Sequence, residues 1–197
     1  MNKKMIAILA ISATTVVAGC ATSKVDSYSN PAYSSSKVNS AAVMPISNQR
    51  INAGQALETN RRIISALQLR NPQMKIVAGP DAIATINDKD LVDPWNNFIV
   101  SYSQTGLPNT KTLKSITDAL GVDTVVVGTI VRVREQDAAA YVYPFIEISL
   151  RYTMFDKNGT ILWEISSSAK QDGYLSKPPM EEVVSSAMDS IIAQLPK

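Results

Sequence analysis

The most constraining feature of this sequence is a block of three strand patterns in its last third. Residues 122–133 are nearly continuously apolar and β-branched, which is typical of a central strand. Within the predicted strand 145–155, residues 146–154 alternate between apolar and polar side chains, and 160–166 carry apolar residues at every second position. Residues 156–159 read Asp-Lys-Asn-Gly, and Asn and Gly tolerate the positive φ of a tight hairpin turn. These patterns predict an antiparallel meander.

Short strand patterns and helical patterns alternate in the rest of the chain. Strands are predicted at 41–46 and 74–78. Apolar residues spaced three and four apart predict helices over 54–70, 79–86, 94–105, 109–121 and 180–195. The order predicts an α/β (α+β) fold with a single mixed sheet, an antiparallel C-terminal meander, helices packed on the sheet and an amphipathic C-terminal helix.

The N-terminus carries the pattern of a secretory signal. Lys3 and Lys4 provide a short positive region, and residues 5–17 form an apolar run broken only by small hydroxyl residues. That run is too short for a transmembrane helix, which needs about 20 residues. Ala18 and Gly19 then supply the small residues of a cleavage site, so the sequence predicts export.

The residues Val17-Ala18-Gly19-Cys20 resemble the lipobox of bacterial lipoproteins, in which an aliphatic residue and two small ones precede a cysteine. The resemblance implies that residues 1–19 are a lipoprotein signal peptide and that Cys20 is the lipidation site, carrying acyl chains such as palmitate. Each buried CH₂ of such a chain contributes about 0.8 kcal/mol to membrane binding. Ala21, rather than Asp, favours by the same resemblance the outer membrane, with the protein facing the periplasm. The alternative is a free or buried cysteine behind an ordinary signal.

Residues 20–40 are predicted to be a lipidated cysteine followed by a flexible tether. This stretch is rich in Ser, Asn and Lys and has no apolar period. As a coil, twenty residues span roughly 25 Å, and fully extended at most about 65 Å. Residues 41–197 are then expected to form a single periplasmic α/β domain.

The charge balance gives no reason to expect nucleic-acid binding. The whole chain has 19 basic and 17 acidic side chains, a formal net charge of +2. Removal of residues 1–19 takes away two lysines and no acid, which leaves the mature chain formally neutral. A neutral chain has no electrostatic attraction to a polyphosphate backbone.

The residues needed for most catalytic and metal sites are missing from the sequence. The chain contains no histidine, its one cysteine is the lipidation candidate, and it has neither a dinucleotide-binding nor a P-loop motif. We therefore expect no cofactor, no metal and no enzymatic activity. A carboxylate-dependent hydrolase remains an alternative because acidic residues are present. Its candidate residues are Asp88, Asp90, Asp93, Glu135 and Asp137, although mixed charges at such positions are typical of solvated surfaces.

Aromatic residues provide the candidates for partner binding. Tyr141 and Tyr143 lie between two predicted strands, and tyrosine offers apolar area with a polar end. Trp95 has helical spacing with Phe98 and Tyr102, which fits either an exposed binding stripe or core packing. Trp163 alternates with apolar neighbours and is expected in the core.

Three stretches resemble a group of periplasmic lipoproteins. They are AAVMPISN at 41–48, ALGVDTVVVGTIVRV at 119–133 and ISLRYTMFDKNGTILWE at 148–164. In order and rough spacing they are similar to strand and turn phrases of a CsgG/TolB-like α/β domain. The group includes the lipoprotein activators of bifunctional penicillin-binding proteins (LpoB-like) and the periplasmic part of the curli secretion channel. The resemblance implies a small α/β domain without a cofactor that binds another protein.

These observations lead to a first functional hypothesis and two alternatives. The first is a non-enzymatic outer-membrane lipoprotein whose tethered domain binds an envelope protein, such as a peptidoglycan synthase that it activates, or a secretion or surface-assembly component. The alternatives are the carboxylate-dependent cell-wall hydrolase and a structural subunit of a homo-oligomeric envelope ring.

Overall fold

The computed structural model describes residues 22–46, 51–139 and 141–197, so the signal pattern and Cys20 lie outside the described residues. Within these ranges the strands are β1 (Thr22–Ser29), β2 (Ser40–Met44), β3 (Lys75–Ala78), β4 (Thr124–Gln136), β5 (Phe145–Asp156) and β6 (Ile161–Asp172). The helices are α1 (Ala53–Arg70), α2 (Pro80–Asp88), α3 (Val92–Thr105), α4 (Thr110–Leu120) and α5 (Met180–Ala193). A 3₁₀ turn covers Ser35–Lys37.

The strands form one mixed sheet in the order β1-β6-β5-β4-β2-β3. β2 runs parallel to both β3 and β4, while β4, β5, β6 and β1 pair antiparallel in succession. The predicted α/β class, single mixed sheet, C-terminal meander and C-terminal helix are confirmed. All of the predicted elements are present, and most of their ends are shifted by a few residues. β6 is also present but extends further than predicted.

Local sequence explains where the helices begin and end. Asn52 caps α1 in a reciprocal arrangement: its side chain accepts from the Gln55 backbone N–H at 2.8 Å, and the Gln55 side chain accepts from the Asn52 N–H at 3.0 Å. Asn109 caps α4 by accepting from the Thr112 N–H at 3.1 Å. Gly121 ends α4 in the left-handed conformation with a φ of 62°, which glycine adopts without a steric penalty.

Helices cover both faces of the sheet, so successive side chains of a central strand enter different cores. In β2, Ala41 and Val43 pack in the core beneath α1 and α5, whereas Ala42 and Met44 pack in the core beneath α2, α3 and α4. All four side chains are completely buried. Burial on both faces is the reason that this strand reads as continuously apolar.

Trp163 is fully buried in the core beneath α5, as the sequence predicts. Tyr152, on the neighbouring strand, is also fully buried and lies over Gly128 of β4. A β-carbon at Gly128 would stand 2.7 Å from Cε1 of Tyr152. The tyrosine ring therefore fits only because position 128 has no side chain.

The expectation of a flexible tether is wrong for residues 22–29. They form β1, which pairs with β6 from Thr22 opposite Lys170 to Ser29 opposite Trp163. Seven of its eight side chains are exposed, so the strand has no apolar periodicity. The strand is held in place by hydrogen bonds between its backbone and that of β6. Such bonds leave no trace in the pattern of side chains.

β6 also extends past its predicted end at Ser166 to Asp172. Ser167 and Ala169 are buried beneath α5, while Ser168 and Lys170 alternate with them and are only partly buried. The two inward side chains, Ser167 and Ala169, are small, and Ser167 is polar. The alternation of buried and partly buried positions is therefore hard to recognise from the hydrophobicity of the sequence. No helix in the described part of the chain is long and apolar enough to span a membrane.

Candidate interaction site

Two loops at one end of the sheet bring together a set of exposed apolar side chains. Residues 137–144 connect β4 to β5, and residues 173–179 connect β6 to α5. We call the set the tyrosine tip; its members are Tyr141, Val142, Tyr143, Tyr174 and Leu175. Tyr141 is fully exposed, and Leu175 is 83% exposed. Large apolar side chains clustered in this way on two loops mark a surface suited to contact with another molecule.

The first loop places Tyr141 at its apex. The backbones of Ala139 and Val142 exchange hydrogen bonds of 3.2 and 3.0 Å, which closes a tight turn. Tyr141 occupies this turn with a φ of 67°, in the left-handed region. That conformation costs a bulky residue about 1–2 kcal/mol, so the surrounding turn holds an aromatic ring in a strained position that points into solvent.

The second loop is fastened to the first through Gly173. Its backbone N–H donates a 2.7 Å hydrogen bond to the carbonyl oxygen of Pro144. A turn then brings the backbone of Ser176 back over Gly173. The rings of Tyr143 and Tyr174 stack across the two loops, with centroids 5.8 Å apart and an interplanar angle of 27°. Their contact makes the tip one continuous surface.

An ion-pair triad supports the base of the tip. The Lys177 ammonium donates to Oε2 of Glu135 at 3.0 Å and lies 3.0 Å from Oδ1 of Asp137. The hydrogen bond to Glu135, and then the one to Asp137, raises the pKa of Lys177 above its ordinary value. Lys177 thus ties the loop before α5 to the end of β4.

Two concavities border the exposed rings. One, of about 700 Å³, is lined by Tyr143, Tyr174, Lys177 and the Pro178–Pro179 pair among others. The other, of about 480 Å³, lies between Tyr141 and Leu175. Both are open; the second has walls of rings and short apolar side chains, whereas the first adds the polar side chains of Gln171, Asp172 and Lys177 to its rings and prolines. Such concavities fit protruding side chains of a partner protein.

Trp95 is not part of an exposed binding surface. It is only 8% exposed and packs on Phe98 at 5.4 Å between ring centroids. Phe98 in turn stacks on Tyr102 at 5.8 Å, and both rings meet Phe155 of the sheet edge-on. The helical spacing of these aromatic residues therefore serves the core beneath α3. Tyr141 and Tyr143, in contrast, have the exposure that contact with a partner requires.

The acidic residues proposed for a hydrolase do not converge. Asp88, Asp90 and Asp93 are all exposed where α2 ends and α3 begins. Glu135 and Asp137 lie elsewhere and both face the Lys177 ammonium. Among the described residues, no group of three or more His, Cys, Asp or Glu side chains is placed to hold a metal ion.

A further concavity of about 520 Å³ lies between α1 and α5 and contains Arg62. Nη1 of this arginine donates to the Ser185 carbonyl at 3.2 Å and to its hydroxyl at 3.0 Å, and Nη2 pairs with Asp189. The guanidinium is thus engaged by α5, and its role in the described structure is to join the two helices.

Sequence reasoning missed the second half of the tip. Tyr174 and Leu175 follow β6, whose predicted end at Ser166 lies six residues before the observed end at Asp172, so no predicted element contains them. The available signal was the GYLSKPP stretch at 173–179, where large apolar residues stand in a loop rich in turn-forming residues.

No family model matches the chain, and no curated protein matches its sequence. Several solved structures are similar to it in fold. A PelC dodecamer from Paraburkholderia phytofirmans has 15% identity and a TM-score of 0.49, covering 88% of this chain and 98% of that chain. Lipoprotein GNA1162 from Neisseria meningitidis has 17% identity and a TM-score of 0.43, with coverages of 79% and 99%. The LpoB C-terminal domain from Salmonella enterica has 17% identity and a TM-score of 0.38, with coverages of 70% and 84%. At such TM-scores, all below 0.5, these likenesses assign neither a family nor a function to this chain.

Proposed function

We propose that this chain is a non-enzymatic lipoprotein of the outer membrane that faces the periplasm and binds another envelope protein through the tyrosine tip. The observation that carries the proposal is the tip itself, in which Tyr141, Tyr143 and Tyr174 stand exposed on two mutually fastened loops. Tyrosine is enriched at protein interfaces because it supplies a large amphipathic area with few rotatable bonds.

The charges around the tip favour a protein over a lipid surface. The charged residues at this end of the sheet are of both signs: Glu135, Asp137, Glu147 and Asp172, against Arg134, Lys170 and Lys177. Segments that bind anionic membranes carry an excess of Lys and Arg beside their apolar residues, and the tip has no such excess. A polar rim of both signs around an aromatic centre is the usual composition of a protein–protein contact.

The membrane anchor is proposed from the lipobox-like residues that end at Cys20. Cleavage before this cysteine and its lipidation would remove the signal pattern and fix the domain to a membrane. Ala21 supports sorting to the outer membrane. The sequence phrases similar to CsgG/TolB-like domains support a partner in cell-wall synthesis, such as a peptidoglycan synthase, or in secretion or surface assembly.

The absence of catalysis is likewise part of the proposal. Neither of the two acidic groups offers a pair of carboxylates facing a shared cleft, because one is spread over an exposed helix junction and the other is engaged by Lys177. A glycoside hydrolase needs two carboxyl groups on either side of its substrate.

Photocrosslinking in cells tests the proposed site. A photoreactive amino acid replaces Leu175 in the tip or, as a matched control, Leu69 on α1; both side chains are 83% exposed. We expect position 175 to form a specific adduct with an envelope protein, and Tyr143→Ser to reduce its yield several-fold. Identical adducts from both positions, or no protein adduct from position 175, would contradict the proposal.

Self-association is a second candidate, favoured by the edges of the sheet. β1 and β3 are the outermost strands, so each has one side with no neighbouring strand among the described residues. Free edges of this kind allow strand pairing between copies, and head-to-tail contacts of copies close into rings. Light scattering of the detergent-extracted protein distinguishes a monomer from a ring.

A further inference from the structure

The pairing of β1 with β6 determines which end of the domain lies next to its N-terminal anchor. Thr22, the first residue of β1, stands opposite Lys170. Two residues further along, β6 ends at Asp172, and Gly173 opens the second loop of the tyrosine tip. Because neighbouring strands lie about 5 Å apart, Thr22 and the tip are at the same end of the sheet.

The proposed lipidation site is covalently close to this end. Only Ala21 separates Cys20 from Thr22, so the Cα atoms of Cys20 and Thr22 are at most about 7 Å apart. The reach between membrane and domain is therefore a small fraction of the roughly 65 Å that a fully extended twenty-residue tether would provide. A lipid on Cys20 holds the domain with its tip towards the bilayer.

The opposite end of the sheet then points away from the membrane. β5 begins beside the tip at Phe145 and ends at Asp156, followed by the turn that leads into β6. A strand of this length spans roughly 40 Å. A protein that reached the domain from the aqueous periplasm would meet that far end first, whereas the tip faces the anchoring membrane.

We infer that the partner bound by the tyrosine tip is a protein embedded in the same membrane as the anchor, which presents its exposed loops at the bilayer surface. This inference rests on the proposed function and adds the location of the partner. The charges of both signs beside the tip, with no excess of basic residues, and its two concavities favour loops of a protein over bare lipid as the occupant.

The test changes the distance between anchor and tip without changing the tip. Three forms of the full-length chain carry the photoreactive residue at position 175: the parent, one with twenty Gly/Ser residues inserted between Ala21 and Thr22, and one with the same insertion between Gly106 and Leu107. Leu107 is exposed and lies in the α3–α4 connection, so the last form is the control.

For a membrane-embedded partner, the longer tether lowers the effective concentration of the tip at the bilayer surface. We expect the adduct yield to fall about tenfold in the 21/22 insertion and to stay within about twofold of the parent in the control. Once identified from the adduct, the partner should itself remain in the membrane pellet of uncrosslinked cells after high-salt and alkaline washes.

The contrary results separate this inference from the proposed function. A protein adduct whose yield is unchanged or rises in the 21/22 insertion, or whose partner is a soluble periplasmic protein, overturns the inference and leaves the proposed function standing. An adduct with lipid in place of protein overturns both, and so does the absence of any adduct in the parent.

Discussion

Gly173 and Ser176 approach so closely that a β-carbon at position 173 would stand 1.9 Å from the Ser176 carbonyl oxygen. Gly173→Ala must therefore open this turn. We expect it to lower the free energy of unfolding by about 1–3 kcal/mol and to reduce the tip adduct. Denaturant unfolding and crosslinking measure the two effects.

Gly54→Ala is the matched control for Gly173→Ala. A β-carbon at position 54 would meet only Oδ1 of Asn52, at 3.3 Å, and the residue lies in the first turn of α1. Alanine favours helix over glycine by up to about 1 kcal/mol. The helix preference of alanine and a small displacement of the capping Asn52 oxygen oppose each other, so stability should change by less than about 1 kcal/mol, and the tip adduct should not change. Equal effects of the two substitutions would argue against a special role of the 173–176 turn.

The stacked Tyr143 and Tyr174 rings should be energetically coupled. Each single substitution to serine should weaken partner binding, while the coupling of the two rings in stability should amount to about 0.5–1 kcal/mol. A double-mutant cycle of unfolding free energies measures the coupling. Additive effects in the cycle would show that the rings do not stabilise each other in the free protein.

Tyr141→Asn should separate stability from binding. Asparagine tolerates the positive φ of position 141 better than tyrosine does, so the unfolding free energy should stay constant or rise by up to about 1 kcal/mol. The same substitution removes an exposed ring and should reduce crosslinking from position 175. A clear loss of stability would contradict the strain assigned to Tyr141.

Tyr102 should make the protein sensitive to strongly alkaline pH. Its burial raises its pKa from about 10 to about 12, and its hydroxyl donates to Oε2 of Glu164 at 2.8 Å. Between pH 10 and 12 the folded state keeps the hydroxyl proton of Tyr102, whereas the unfolded state has released it. The contribution of Tyr102 to the free energy of unfolding is therefore complete below pH 10 and is lost as the pH rises towards 12.

Tyr102→Phe tests this dependence. It should cost about 1–2 kcal/mol near neutral pH, through the lost hydrogen bond to a carboxylate, and should make the decline between pH 10 and 12 shallower. Burial raises the pKa of Tyr152 as well, so part of the decline should persist. Urea unfolding across this pH range measures the slope, and an unchanged slope would contradict the assignment.

Gly128→Ala should disturb the core without affecting the tip directly. Its β-carbon would stand 2.7 Å from Cε1 of Tyr152, and we expect a loss of about 1–3 kcal/mol. In a Tyr152→Leu background the ring is gone, so adding Gly128→Ala should cost less. Thermal unfolding of the four variants measures the difference, and an equal cost in both backgrounds would exclude this contact as the cause.

The sequence predicts those elements whose side-chain pattern arises from burial. β2 reads as apolar because both of its faces are covered, and α4 is recognisable from its Asn109 cap and its Gly121 stop. β1 has no comparable signal, since its side chains are solvated and its stability comes from backbone pairing with a distant strand. Side-chain patterns therefore identify the layered core and leave out the edge strand.

The candidate site was predictable only in part for a related reason. Tyr141 and Tyr143 are noticeable as aromatic residues between two recognisable strands. Tyr174 joins them only because β6 runs beyond its apolar section and Gly173 bonds to Pro144. Trp95 is a candidate that the structure places in the core instead. Its helical spacing with other aromatic residues is the same for a buried stripe as for an exposed one, so the sequence alone does not distinguish the two.

The place of β1 in the sheet also sets an order on folding. The first strand of the chain pairs with residues 163–170, close to the other terminus, and α5 packs on that same part of β6. The N-terminal strand is synthesised first, yet it has no strand to join until residues 163–170 have also been made. Contacts between such distant segments form late and slow the folding reaction. We therefore expect β1, the strand next to the proposed anchor, to join the sheet late, after β4, β5 and β6 have formed the meander.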